Sequence, residues 1–532
     1  MAFVSGAFIV YIFIIFCLYF GIKKEYRWIV LLTGSYLFYW INSEKLVFVI
    51  FAVTVVTFFV GKVIDTNNQK IGSYLKEHKQ LSSAEKKVYK QRNKKLNKII
   101  LTGGVLVDLS MLLFFKYFNF FSGNASGLLQ RIGIPVVLPA LDLMIPIGIS
   151  FYTLQAIAYM TDVYRGKYRA DKNFFKFMLF MSYFPQIVQG PIARYDFLAN
   201  QLYEGRDMEY KRCTFGIQLI LWGYIKKLVI ADRLAVPVNE IFNNFNEYTG
   251  MLVLLAAIGY GLQVYADFSG GMDIARGVSQ VFGIELQLNF KQPYFARSIE
   301  EFWRRWHITL GAWMKDYIFY PLSLSKLSGN IGKKARLLFG SSIGKKIPSF
   351  IAMFIVYFLV GFWHGAEWKY IFYGIWNGLF IMSGILCEEG YARMKMTLGI
   401  NENLLSWKLF QMFRTFMLCS VGRFFSRAGS TYAAVYMMRA MVKGFGNIAF
   451  LVDGTLIGLG MNTANWVVLC VMTVLMFLVD IAHEKGLHIR ETIAGQGIVF
   501  RWLVYYTAVF VVLVFGMYGS AYNSAAFIYQ QF

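Results

Sequence analysis

Apolar residues run through this chain in long blocks, such as positions 2–21, 46–60 and 466–481. A helix needs about 20 predominantly apolar residues to cross a hydrocarbon core. Blocks near that length recur roughly a dozen times, which predicts an all-α polytopic protein with about 11–14 membrane helices. The polar segments between them follow a charge rule, since basic segments mark the cytoplasmic side. Placing 23–27 inside puts the N-terminus outside. The second helix then exits near 41–45, and the third returns to a loop at 65–98 that holds ten Lys/Arg against three acids. The fourth, about 99–121, leads to an outer segment whose one basic residue is Arg131. The fifth, about 143–159, lands on Arg165-Gly166-Lys167. Five crossings obey one rule. The first block runs into Lys23-Lys24 with no preceding basic region and no small-residue cleavage site, so it reads as a transmembrane helix and not as a cleaved leader.

Beyond position 172 the parity is harder to follow. Positions 184–195 read FPQIVQGPIARY, with two prolines and a glycine among apolar residues. Irregular backbone at membrane depth survives only where protein or a water-filled cavity satisfies it. A re-entrant segment is therefore expected, with a surface loop as the alternative. Positions 265–277, YADFSGGMDIARG, set Asp267, Asp273 and Arg276 just after a long apolar stretch. Asp273 and Arg276 are three apart and can pair on one helix face, so structural neutralisation is the favoured reading. No internal repeat or detached soluble domain is visible. The chain reads as a single integral membrane domain, 1–532, with N-terminal helices over 1–121 and C-terminal helices over about 405–520.

Composition narrows the class. Of 532 residues, 57% are hydrophobic, 18% aromatic and 16% charged, against about 25% charged in soluble domains. Soluble enzymes, disordered chains, coiled coils and collagens are excluded. The net charge of +23 sits in short segments between apolar blocks. It therefore points to topology and to anionic lipid headgroups, with a helper role toward a phosphate-bearing cytosolic ligand, and not to nucleic acid. The five cysteines show no close spacing, so neither a disulfide framework nor a zinc site follows.

Five histidines are present. His78 lies in the basic segment. His483 and His488 sit in HEKGLH, where a spacing of five in place of four turns the rings about 140° apart on a helix, unlike the zinc motif HExxH. His307 lies in SIEEFWRRWHITLGAWMKDY, 298–317, which opens with a Ser298–Glu301 capping box. At 100° per residue Phe302, Trp303, Trp306, Leu310, Trp313 and Tyr317 fill one arc. Glu300, Arg304, Ile308 and Lys315 lie across from it. This predicts one amphipathic surface helix with His307 at its border, as an interfacial hydrogen-bonder or a reactive group. His364 lies in GFWHGAEW at the end of an apolar run, flanked by Gly361 and Gly365, which let other groups approach closely. An ionisable group inside a membrane points to function by default, and imidazole suits proton abstraction near neutral pH. A packing histidine is the alternative.

FYTLQAIAYMTDVYRG (151–166), FPQIVQGPIARY, YADFSGGMDIARG, FWRRWHITL (302–310) and GFWHGAEW occur in this order. Together, over about 146–378, they resemble the membrane-bound O-acyltransferase family, in its bacterial alginate O-acetyltransferase-like branch. The resemblance implies a ring of tilted helices around a central funnel or tunnel, in the bacterial cytoplasmic membrane. It matches the family's two hallmark histidines to His307 and His364. It also implies acetyl-CoA as donor, an extracytoplasmic SGNH-type partner bearing a Ser-His-Asp set, and a polysaccharide acceptor. There are departures: Pro321-Leu322-Ser323-Leu324 replaces the usual PLGG, Lys315 replaces an Arg, and Asn377 stands where a histidine is frequent.

Residue chemistry and resemblance converge on one expectation. A thioester carries its own activation, so the protein must bring a hydroxyl to it and remove a proton. His364 is the expected general base, and His307 orients the thioester or stabilises its oxyanion. Trp303, Trp306 and Trp363 exclude water, Arg304 and Arg305 attract the CoA phosphates, and Asn377 is expected with them in the substrate- or donor-binding set. No metal or permanently bound cofactor is needed. D-alanyl transfer from a carrier-protein thioester to teichoic acid is the alternative within the class; a transporter or a docking scaffold is the alternative outside it.

Overall fold

The computed structural model describes residues 1–446 and 448–518, so the last positions of the expected 405–520 block lie outside the described residues. All regular elements among them are helical, with one isolated antiparallel bridge between Phe290 and Trp306. Seven runs are long and apolar enough to cross a membrane, or eight if the bent pair Trp368–Leu386 and Glu388–Thr397 is one span. The count falls below the sequence expectation for two reasons. Some apolar blocks fold as short helices, such as Gly6–Gly21 with 16 residues and Phe174–Ser182 with nine. Other runs join two helices through a short 3-10 turn, as in the 54-residue Lys24–Glu77, where Glu44–Leu46 links Arg27–Ser43 to Val47–Glu77. The apolar surface is bare: only 6% of the apolar window in Ile498–Phe515 is buried, and Phe13 and Phe48 are each 64% exposed. Such surface is stable only against lipid. This is a multi-pass membrane protein.

The chain divides into two compact units. The first comprises Met1–Gly216 with Val278–Gln287, and the second Ile217–Gly277 with the described residues from Leu288 onward. In the first, α1 (Val47–Glu77) and α2 (Ser83–Leu112) are joined by a short turn. The basic segment 65–98 is thus mostly helical, where a loop was expected. Lysine is a good helix former, so its charge does not break the helix. Ser82 starts α2 with a complete capping box: its hydroxyl accepts from the Glu85 N–H at 3.2 Å, and the Glu85 carboxylate accepts from the Ser82 N–H at 2.8 Å. The two helices are tied by amides, Asn67 to Asn97 at 2.9 Å and Asn97 to Asn68 at 2.8 Å.

The FPQIVQGPIARY segment forms α4 after α3 (Ile149–Arg165). It is a six-residue helix, Phe184–Gln189, followed by extended backbone, and 181–193 are buried throughout. Protein groups satisfy part of it: the Gln186 amide donates to Gln155 at 2.9 Å, Gln155 donates to the Phe180 carbonyl at 2.8 Å, and the Phe184 N–H donates to the Ser35 hydroxyl at 3.1 Å, while the buried Gln189 amide makes no hydrogen bond among the described residues.

In the second unit, YADFSGGMDIARG is the interior of a continuous helix, α5 (Met251–Val281). The expected Arg276–Asp273 pair forms at 3.4 Å, but the closer partners are two buried lysines on a π-helical turn, Ile225–Ala231. Lys226 meets Asp273 at 2.6 Å, and Lys227 meets Asp267 at 2.7 Å and Asp232 at 2.9 Å.

The expected amphipathic helix over 298–317 is broken. It forms α6 (Ile299–Arg305) and α7 (Ile308–Met314), separated by extended Trp306 and left-handed His307. The capping box is half made. Ser298 accepts from the Glu301 N–H at 3.1 Å, but the Glu301 carboxylate accepts from the Arg297 N–H instead. Further on, α8 (Ile347–His364) and α9 (Trp368–Leu386) pack as a tight hairpin beside α10 (Leu405–Arg427), with α11 (Thr463–Glu484) near the C-terminal end.

Candidate active site

Helix α8 ends on His364 because Gly365 continues in extended backbone. A Cβ on Gly365 would lie 2.2 Å from the Tyr370 ring, and one on Gly361 would lie 2.3 Å from the Tyr370 carbonyl oxygen. The two glycines therefore seat α9 against the histidine, as the sequence pattern anticipates. Gly361→Ala should force the hairpin apart, costing ~1–3 kcal/mol. Thermal unfolding in detergent, read beside activity, checks this: both should fall.

His307 is fully buried with φ at +48°. That region costs a non-glycine residue about 1–2 kcal/mol, so the surroundings must impose it. The imposing group is the segment around Asn289. Its carbonyl accepts from the Ile308 N–H at 3.1 Å, and its side-chain oxygen accepts from the Thr309 N–H and hydroxyl, each at 2.9 Å. The Phe290–Trp306 bridge holds the other side. The turn projects the imidazole into packed rings. Phe268 lies edge-on at 5.0 Å between centroids, and Trp363 at 5.5 Å. Trp363 also meets the His364 ring at 5.2 Å, so one indole touches both imidazoles. His307 lies outside the apolar spans; burial, with the nearby His364 second, holds it well below its ordinary pKa and hence neutral near pH 7.

His364 faces a small cavity of about 20 Å³, space for a group near the size of one water. Tyr260, Trp306, Tyr370, Tyr373 and Arg423 also line it. Trp306 stacks on Phe302 at 5.4 Å. Trp303 donates its indole N–H to Asn377 Oδ1 at 3.1 Å, and Asn377 donates back to the Tyr373 carbonyl at 2.8 Å. The structure thus gathers His307, His364, Trp306, Trp363, Trp303 and Asn377 around one region. The two arginines lie off it. Arg304 is exposed and pairs with Glu300 at 3.5 Å. Arg305 is held by Glu301 at 2.8 Å and by both oxygens of Glu484, at 2.7 and 3.0 Å.

Arg423 and the three tyrosines escape sequence reading. For Arg423 a signal exists, an ionisable residue in the apolar context of SVGRFF. The tyrosines have none, being scattered among 34.

Comparison with known proteins decides the family. Residues 169–422 match the model of MBOAT, the membrane-bound O-acyltransferase family. The probable alginate O-acetylase AlgI of Pseudomonas syringae pv. tomato is 33% identical over 444 residues, 83% of this chain and 75% of that protein. The chain belongs to the membrane-bound O-acyltransferase family. Membership makes it an O-acyltransferase. A peptidoglycan O-acetyltransferase of Helicobacter pylori is 28% identical, covering 67% of each chain. A teichoic acid D-alanyltransferase of Streptococcus thermophilus is 28% identical over 48% of this chain and 59% of its own.

Proposed function

We propose that this O-acyltransferase moves an acetyl group from cytosolic acetyl-CoA to hydroxyls of an extracytoplasmic envelope polysaccharide, directly or through a partner protein. The observation that carries the reading is His364, a buried imidazole facing a small cavity in an apolar protein. The names of the similar O-acetylases support acetyl as the group and a polymer as acceptor. The acceptor oxygen attacks the thioester carbonyl carbon as His364 takes its proton. A C–O bond forms, the C–S bond breaks, and the imidazolium returns its proton to the leaving thiolate. Neutral His307 donates a hydrogen bond to the developing oxyanion. Trp306 and Trp363 keep water from the thioester. The bacterial cytoplasmic membrane, with both hairpin helices α1 and α2 ending in the cytosol, suits a cytosolic donor.

Envelope polysaccharides from cells with and without this protein should differ by acetyl esters in mass spectrometry; identical spectra refute the reading. A cysteine at the exposed Lys90 should resist a membrane-impermeant reagent in intact cells, and labelling there refutes the topology. His307→Gly separates chemistry from backbone, because glycine accepts the left-handed conformation without strain. It should lose acyl transfer while melting within a few degrees of the parent. An early melt with proportionate activity loss marks His307 as a packing residue.

A further inference from the structure

Arg423, on α10, is 3% exposed and lines the His364 cavity. Its Nη2 donates to the Tyr294 hydroxyl at 3.4 Å, and its guanidinium carbon lies 4.9 Å from the centre of the Trp306 ring. Among the described residues no carboxylate pairs with it within 4.0 Å. Every other buried cation discussed above has an acidic partner. A buried guanidinium with no carboxylate to neutralise it is costly to hold, and here it fixes the sign of the field in the cavity beside the general base.

We propose that Arg423 sets the charge selectivity of the acyl pocket, admitting uncharged acyl groups such as acetyl and excluding cationic aminoacyl groups such as D-alanyl. This rests on the acyl-transfer reading above. A carbonyl within reach of the hydroxyl that His364 deprotonates puts its α-carbon at the cavity Arg423 lines. An ammonium on that carbon would face a guanidinium of like charge. At a separation of about 6 Å and an effective dielectric of about 20, the repulsion corresponds to roughly a hundredfold preference. The aromatic wall does not reverse the sign. Trp306, Tyr260, Tyr370 and Tyr373 alone would suit an ammonium ion, as aromatic cages do. The chain's own cation already occupies the Trp306 face.

Two thioesters of N-acetylcysteamine isolate charge from shape. D-alanyl and isobutyryl differ by an ammonium in place of a methyl. Thiol release by the purified full chain in detergent, with methyl glucoside as hydroxyl acceptor, gives their kcat/KM ratio. The parent should prefer isobutyryl by about a hundredfold. Arg423→Gln should cut that ratio at least about tenfold, and Arg423→Lys should largely keep it. A purely structural arginine would lower both rates together and leave the ratio unmoved, which overturns the assignment. A parent that uses both thioesters equally also overturns it, whether or not the variants fold. A parent that releases thiol from neither thioester nor from acetyl-CoA fails the acyl-transfer reading itself, and this inference with it.

Discussion

Replacing His364 with Ala should lower acyl transfer by ~10²–10⁴-fold, the usual cost of losing a positioned general base, while the protein still inserts and folds. The fold should survive because the helix hairpin is seated by Gly361, Gly365 and Gly374 and not by the imidazole. A Cβ on Gly374 would lie 2.1 Å from the Tyr357 carbonyl oxygen, which shows how closely the two backbones meet. The imidazole sits at the last residue of α8 against Trp363 and Tyr373, with ring centroids at 5.2 and 5.9 Å. Its removal enlarges a space already next to it, so the loss of packing is modest. Envelope acetylation at equal protein level is the readout, with thermal unfolding as its control. Parent-level acetylation in the variant would remove His364 from the mechanism.

Lys227→Met should be the most destabilising of the substitutions considered. Lys227 and Asp267 have side chains only 2% and 1% exposed, and Asp232 shares the same ammonium. Removing one partner of a buried pair leaves an uncompensated charge, at a cost of about 3–5 kcal/mol. Here two carboxylates lose the same cation. The expected result is a much earlier unfolding transition in detergent, partly restored by adding Asp267→Asn. An unchanged transition would mean that water reaches this cluster.

Both predictions concern residues that the sequence treats very differently. His364 is legible because it is a lone imidazole at the end of an apolar run, between glycines, inside a recognisable motif. Asp267 and Asp273 are visible as costly charges, but their lysine partners lie some forty residues earlier and no local pattern links them. Helical periodicity over 298–317 is equally instructive. The buried face emerges largely correctly, since Phe302, Trp306, Leu310, Trp313 and Tyr317 are buried and Trp303 is half-buried. The continuous helix does not, because Asn289 and the Phe290–Trp306 bridge impose a left-handed residue that local propensity disfavours. The long-range hydrogen bonds, and not the 3.6-residue period, decide the conformation of His307. Segment 65–98 fails for another reason: its charge identifies a polar region correctly but says nothing against helix, and the capping box at Ser82 marks the start of one.

The proposed passage of an acyl group from a cytosolic thioester to envelope polymer, through the site around His364, is tested most directly in membrane vesicles. Inside-out membrane vesicles from cells making the parent protein keep its partners and expose the cytosolic face. Given radiolabelled acetyl-CoA outside, they should accumulate base-labile label in polysaccharide, and vesicles carrying His364→Ala at equal level should not. Label that fails to reach polymer with the parent protein, or that reaches it equally with the variant, would contradict the account.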